Sequence, residues 1–334
     1  MASVFAVVLT FNRKELLRRC LDCVFAQSRP CDRVIVIDNC SADGTSRMLR
    51  DEWGGRVEVH TLSRNVGASG GFNVAIRVAY QGGADFVWLM DDDVLPERDA
   101  LAKLLEADQY LADQRVERAF VLSTAWTEDG KATNVPKVDT RPSDNGYEIW
   151  PSFLERKLVP VTRATFVSIL LPRSTIAQYG LPLASMFIWG EDSEYTLRIT
   201  DRCPGFLVWE SKVVHLRQLS GTVNIMTETN TTRLGYHRHY IRNHMYIARA
   251  YSAKLDYFRY AIRQLQVLFA LLRRRDGKRA WIVLAGMFES FWFAPKIEAA
   301  DAASGELSIE SKPTTTAVLP SALEPLGPST GPST

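Results

Sequence analysis

No apolar run in this chain of 334 residues reaches the ~18 that a membrane-spanning helix needs, so a spanning protein is not expected. The first residues carry no basic lead and no small-residue cleavage site. Val4 to Thr10 reads instead as a buried strand, which argues against a signal peptide. Cysteine is scarce and odd in number: Cys20 and Cys23 have CxxC spacing, but Cys31, Cys40 and Cys203 supply no second pair for a zinc site. A reduced, cytoplasmic setting is the resulting expectation. Neither sign of charge dominates, since 40 Lys and Arg against 38 Asp and Glu leave +2. No nucleic-acid partner is expected. That near-balance hides an asymmetry: residues 231–280 hold twelve Lys and Arg against Asp256 and Asp276, a local +10 that leaves −8 elsewhere.

What is present is a soluble-type composition, 46% hydrophobic and 23% charged, with room for one large or two small domains. Its most informative stretch is Phe86-Val87-Trp88-Leu89-Met90-Asp91-Asp92-Asp93. An apolar run of this length suits a buried strand, and a buried strand cannot hide three charges. The carboxyl edge of an open sheet is their natural place, and a cation their natural partner. Oxygen ligands favour Mg²⁺ or Mn²⁺ over zinc. Taken alone, the triplet also reads as an acidic turn before a helix, because Val94-Leu95-Pro96-Glu97 resembles a helix start.

Around it, residues 1–123 alternate strand and helix. Val4 to Leu9 and Val34 to Ile37 are buried strands ending at Thr10-Phe11-Asn12-Arg13 and Asp38-Asn39; Leu16, Leu17, Cys20, Leu21 and Val24 have helical spacing between them. Val57 to Leu62 is a third strand. The alternation predicts a mostly parallel sheet with helices on both faces. Arg64 to Asn73 contains Gly67-Ala68-Ser69-Gly70-Gly71, either a backbone cradle for phosphate at a helix start or a tight turn needing positive φ. Residues 124–163 lose periodicity and are expected as long loops over an acceptor cleft. Thr165 to Leu171 returns as a strand. Met186 to Tyr195 breaks at Gly190 and delivers Glu191 and Asp192 to a helix N-terminus. His215 ends the strand-like Val213-Val214. Residues 296–334, rich in Ser, Thr, Ala and Pro, are expected to be disordered.

Taken together, these pieces resemble the family 2 inverting glycosyltransferases of the GT-A fold over residues 3–245. The residues that carry the likeness are Thr10 to Arg13, Asp38-Asn39, Gly67 to Gly71, Asp91 to Asp93, Glu191-Asp192 and His215. Bacterial galactofuranosyltransferases look most similar, with rhamnosyltransferases next. The resemblance implies an α/β catalytic domain over 1–232, with a nucleotide-sugar half (1–123) and an acceptor half (124–232), followed by a basic helical region (233–295). It implies that Thr10, Asn12, Arg13, Asp38, Asn39, Gly70, Asp91 and Asp92 face the UDP-sugar. It implies a divalent metal, Mn²⁺ or Mg²⁺, on Asp91, Asp93 and His215, with Asp192 as base and Trp189 and Glu191 toward the acceptor. One departure is visible: those relatives place a Trp directly before the acidic pair, whereas Gly190 intervenes here.

The implied reaction moves a sugar, galactofuranose from UDP-galactofuranose by the closest likeness, to a hydroxyl of a glycan or polyprenyl-linked glycan in cell-wall or polysaccharide biosynthesis. A dTDP-rhamnose donor and a non-catalytic nucleotide-sugar or glycan-binding module are the alternatives. A pyrophosphorylase would need a basic Gly-rich N-terminal loop, which Thr10-Phe11-Asn12-Arg13 is not. Leu255, Phe258, Ile262, Leu265, Phe269 and Leu272 form one helical stripe beside Arg259 and Arg263, and Trp281 to Phe293 is nearly all apolar. These segments predict a peripheral protein at the inner face of the cell membrane, held on an anionic surface, with room also for a homo-oligomer.

Overall fold

The computed structural model describes residues 2–216 and 223–302. Its first half is the expected alternation: β1 (Val4–Thr10), α1 (Lys14–Phe25), β2 (Arg33–Asp38), α2 (Thr45–Trp53), β3 (Glu58–Thr61), α3 (Gly67–Gln81) and β4 (Phe86–Asp91). Next come β5 (Val94–Pro96), α4 (Ala100–Asp113), β6 (Val121–Trp126), β7 (Ala132–Thr133), β8 (Lys137–Val138), β9 (Leu158–Arg163), β10 (Ile169–Pro172), α5 (Arg173–Tyr179), α6 (Glu191–Ile199) and β11 (Gly205–His215). Three helices follow, α7 (Thr231–Tyr251), α8 (Lys254–Arg273) and α9 (Gly277–Ser290).

The strands form one sheet in the order β3-β2-β1-β4-β10-β6-β11-β9-β8, with β5 and β7 paired off that path. From β3 to β4 it is parallel, and β10 enters antiparallel between β4 and β6. Both faces are covered, which is why the strands read as continuous apolar runs. Val4, Ala6 and Val8 of β1 pack with α1, α2 and α4, while Phe5, Val7 and Leu9 pack with α3, α5 and α6. A third core joins α7, α8 and α9 through Leu234, Ile241, Met245, Leu271 and Val283. Asn230 caps α7 by accepting from the backbone N–H groups of Thr232 and Arg233, both at 3.0 Å, and Asp276 caps α9 at Arg279 (3.1 Å). No helix among the described residues is long and apolar enough to cross a membrane.

The structure departs from the sequence reading in three places. Val94 to Pro96 is strand β5 rather than a helix start, because it pairs antiparallel with the end of β11, His215 opposite Val94. Part of the stretch expected as long loops is sheet: β9 pairs with β11, and a 3-10 helix covers Trp150–Arg156. Residues 296–302, expected as the start of a disordered tail, lie along α3 instead. There the Arg77 guanidinium pairs with Glu298 and donates to the Ala302 carbonyl (2.8 Å), and Leu181 N–H donates to the Glu298 carbonyl (2.9 Å). The rest of that expected tail lies outside the described residues.

Candidate active site

The register of the sheet assembles the site. Thr10 pairs with Asp38, and Leu9 with Asp91, so the ends of β1, β2 and β4 stop at one edge. From the other side of the sheet, β11 shifts register between Val208 and Lys212; beyond that shift it pairs with β5. A bulge of this kind re-aims a strand, and here it brings His215 beside Asp93. The backbone closes the junction, with Leu216 N–H donating to the Asp93 carbonyl at 2.8 Å.

At this edge the acidic triplet is almost wholly inside the protein. Asp92 and Asp93 are buried, and buried carboxylates need partners. Thr10 Oγ1 donates to Asp92 Oδ2 (2.7 Å), and Arg13 Nη1 bridges Asp92 Oδ1 (3.2 Å) and Asp93 Oδ2 (2.8 Å). Burial pushes Asp92 up to about 6 against the pull of Arg13 and Thr10. Asp93 must overcome the same burial, yet His215 and Arg13 hold it below the usual carboxylate range. Asp91 is driven well above that range by burial and by its two acidic neighbours, with Glu191 adding to the effect.

A divalent ion can be tested against this arrangement. Asp93 Oδ1 is buried without a hydrogen-bond donor, and His215 Nε2 stands 3.1 Å from it. The other ring nitrogen, Nδ1, lies 2.8 Å from Asn134 Oδ1, which also accepts from Thr133 Oγ1 at 3.2 Å. An accepting Oδ1 assigns a proton to Nδ1; a proton on Nε2 makes the hydrogen bond that holds Asp93 low, and a cation that replaces it meets the Nε2 lone pair and the carboxylate oxygen together. Two electron-rich atoms held face to face fit a cation between them. Mg²⁺-type ions commonly take only one or two protein ligands, the remainder coming from phosphates and water. Asp93 and His215 therefore fit such an ion. Among the described residues, no three His, Cys, Asp or Glu side chains are grouped so as to hold a metal, so the expected trio with Asp91 is not formed in this arrangement.

The remaining predicted residues fall into separate groups. Asn12 has positive φ (53°), and its Oδ1 accepts from Ala42 N–H at 2.7 Å. Asp38 is buried, its two oxygens taking Ser41 N–H (2.9 Å) and Ser46 Oγ (2.8 Å). Asn39 braces the start of α3, accepting from Val66 N–H and donating to the Gly67 carbonyl. Gly67, at φ 74°, permits the close approach of Phe187, whose carbonyl would lie 2.0 Å from a Cβ there. A Cβ on Gly70 would meet Val66 at 2.7 Å, so this glycine serves packing inside α3 rather than an open phosphate cradle.

Residues 5–150 match the model described as Glycosyl transferase family 2. Over this stretch, somewhat under half of the chain, the protein is similar to that family. Galactofuranosyltransferase GlfT1 of Mycobacterium tuberculosis is 32% identical over 211 residues, 59% of this chain and 64% of the relative. The protein of the same name from Mycolicibacterium smegmatis is 29% identical over 212 residues, covering 59% and 65%. The chain thus spans a little under two thirds of the curated relatives it matches. A crystal structure of GalNAc-T7 with UDP, GalNAc and Mn²⁺ shares the fold, with a TM-score of 0.51 at 14% identity over 73% of this chain and 47% of that one.

Beyond the matched stretch, Glu191 and Asp192 open α6. Gly190, at φ 121°, ends the preceding loop, and Asp192 is half-buried in the first turn. Burial raises Asp192 against the N–H of Ser193 (2.6 Å). Glu191 is turned inward, with Ser69 Oγ 3.2 Å from its Oε2, and burial together with Asp192 pushes it up to about 8. Trp189 packs into rings on α7, chiefly His237 and Tyr240, with the Arg233 guanidinium 5.3 Å from its ring.

Sequence reading missed two asparagines. Asn134 holds His215 from a loop with no periodicity to betray it. Asn243, fully buried in α7, donates to the carbonyls of Met186 (2.9 Å), Ile188 (3.1 Å) and Trp189 (3.0 Å). An asparagine in a helix interior is a poor helix former, and that misfit was the available signal.

Proposed function

We propose that this protein is an inverting glycosyltransferase that moves galactofuranose from UDP-galactofuranose to a hydroxyl of a glycan or polyprenyl-linked glycan. The observation that supports it most is one sheet edge gathering Thr10, Arg13, Asp92, Asp93 and His215, with the α6 acids close enough for Glu191 to act on Asp91. The nucleotide lies against Thr10, Asn12, Asp38 and Asn39 in this reading. Arg13, over a third exposed, offers its guanidinium to the diphosphate. Asp93 and His215 would hold Mn²⁺ or Mg²⁺, which supplies positive charge for the leaving diphosphate. Asp192 takes the proton from the acceptor hydroxyl as that oxygen attacks the anomeric carbon from the face opposite the diphosphate. One displacement inverts that carbon. The setting is the cytoplasmic face of a cell membrane, where cell-wall or polysaccharide glycans are built on lipid carriers.

A second donor, dTDP-rhamnose, is kept because Gly190 separates Trp189 from the acidic pair. A panel of UDP- and dTDP-sugars with Mn²⁺, Mg²⁺ or chelator, scored for free nucleoside diphosphate, tests the reading. UDP released only from UDP-galactofuranose with metal is expected. Binding without release of any diphosphate would make the protein a nucleotide-sugar-binding module.

A further inference from the structure

Helix α8 has two apolar faces, and the described residues cover only one. Leu271 is buried and Leu268, Val267 and Tyr260 pack into the helical core, whereas Leu255, Phe258, Ile262, Leu265, Phe269 and Leu272 are 42–62% exposed. On α9 and in the turn just after it, Trp281, Leu284, Phe288, Phe291 and Trp292 are likewise 47–68% exposed. These two helices pack on each other and, with the turn after α9, carry eleven of the eighteen exposed large hydrophobic residues described. A helix with two apolar faces ordinarily buries both. Something must cover this one.

The charges beside the stripe indicate what. At about 100° per residue, Arg259, Arg263 and Arg273 fall on the rows next to the α8 stripe, Arg274 and Arg275 follow in the turn before α9, and Lys278 lies in the first turn of α9. All six are exposed, and Asp256, the one acid on α8, is paired with Arg259 at 3.1 Å. Aromatic rings gather at the far end of α9, Phe288 and Trp292 with centroids 4.5 Å apart. We infer that α8 and α9 lie on an anionic lipid surface, their apolar stripes at the acyl boundary and their basic side chains reaching the headgroups. The inference adds a partner to the proposed reaction but does not rest on it, since docking is read without any sugar. It also has a mechanical consequence: α7 packs on both helices and, through Asn243, holds the loop that leads to Asp192.

Flotation of the full chain with phosphatidylglycerol-rich and with phosphatidylcholine vesicles, at low and high salt, tests this. Binding to the anionic vesicles that weakens with salt is expected. Replacing Arg273, Arg274 and Arg275 by Gln should lower partitioning about 10²-fold at low salt. Phe258→Ser with Phe269→Ser should lower it about 10-fold or more while the thermal midpoint holds. No binding to either vesicle would overturn the inference, as would equal, salt-independent binding to both. A dimer abolished by the Phe258/Phe269 pair, without vesicle binding, would give the face to a second copy. Binding gained only by a chain ending at Ala302 would give it to the residues beyond.

Discussion

Asn243→Ala isolates what the C-terminal helices contribute to the site. The substitution keeps the Cβ that packs near Gly190 and removes one side-chain amide. The Met186 carbonyl retains the Ile188 N–H (2.8 Å) and the Arg242 guanidinium (3.2 Å), so it stays satisfied. The Ile188 and Trp189 carbonyls lose the amide donor. Each buried carbonyl left so costs about 1–3 kcal/mol, and a loop can escape that cost by moving toward water. Local release of residues 186–192 is therefore expected, with the global fold kept. A displacement of about 1 Å in a positioning element can cost about 10²-fold in rate, equivalent to about 2.7 kcal/mol of barrier. The expected pattern is a fall in kcat for transfer of that order, unchanged donor affinity, and faster hydrogen exchange confined to 186–192. Asn243→Asp, which turns acceptors toward the same carbonyls, should be worse. Unchanged exchange in that segment, or equal loss of donor binding and thermal midpoint, would refute the reasoning.

Asp192→Asn should lower transfer by about 10²-fold or more with donor affinity kept, and a crippled Glu191→Gln instead would reassign the base. Because burial raises Asp192, the acid limb of the wild-type rate profile should lie above the ordinary aspartate value of about 3.9, the rate rising with pH. Glu191, pushed up to about 8, makes the fold bind a proton more tightly than the unfolded chain. Stability is then complete below the ordinary Glu value of about 4.3 and falls as pH rises toward 8, and Glu191→Gln should flatten that slope in denaturant titrations. Asn134→Ala should weaken metal activation about 10–100-fold, with activity recovered at higher Mn²⁺; an unchanged metal titration would remove Asn134 from the site. Truncation after Pro295 deprives the buried Arg77 of Glu298, a loss of about 3–5 kcal/mol read as a lower thermal midpoint, whereas a chain ending at Ala302 should match the full one.

The alternation through β4 was legible because each strand is buried on two faces and each helix on one, so the periods of the sequence equal the periods of burial. The placing of the acid triplet at a sheet edge followed from the same logic. Strand β5 was not legible: three residues carry no period, and only pairing with β11 makes them a strand. Strand β9 hid behind Pro160, tolerated beside a neighbour that asks nothing of its missing N–H. The setting of His215 was half readable, since a His at a strand end is visible but its Asn134 partner, 81 residues away, is not. Residues 296–302 look like tail by composition. What orders them is long-range: the side chains of Arg77 and Gln81 on α3 bind their carbonyls.

That return to α3 makes the C-terminal helices a handle rather than a pendulum. The chain leaves the sheet through β11, passes through α7, α8 and α9, and is fastened again where Glu298 meets Arg77. Torque applied to a handle reaches the body at both attachments. One of them is the loop gripped by Asn243, and the other is α3, whose first turn presents Ser69 to Glu191. Any tilt imposed on α8 and α9 from outside is thus delivered to both sides of the α6 acids at once, so the angle at which the helices are held also sets how those acids face the sheet edge.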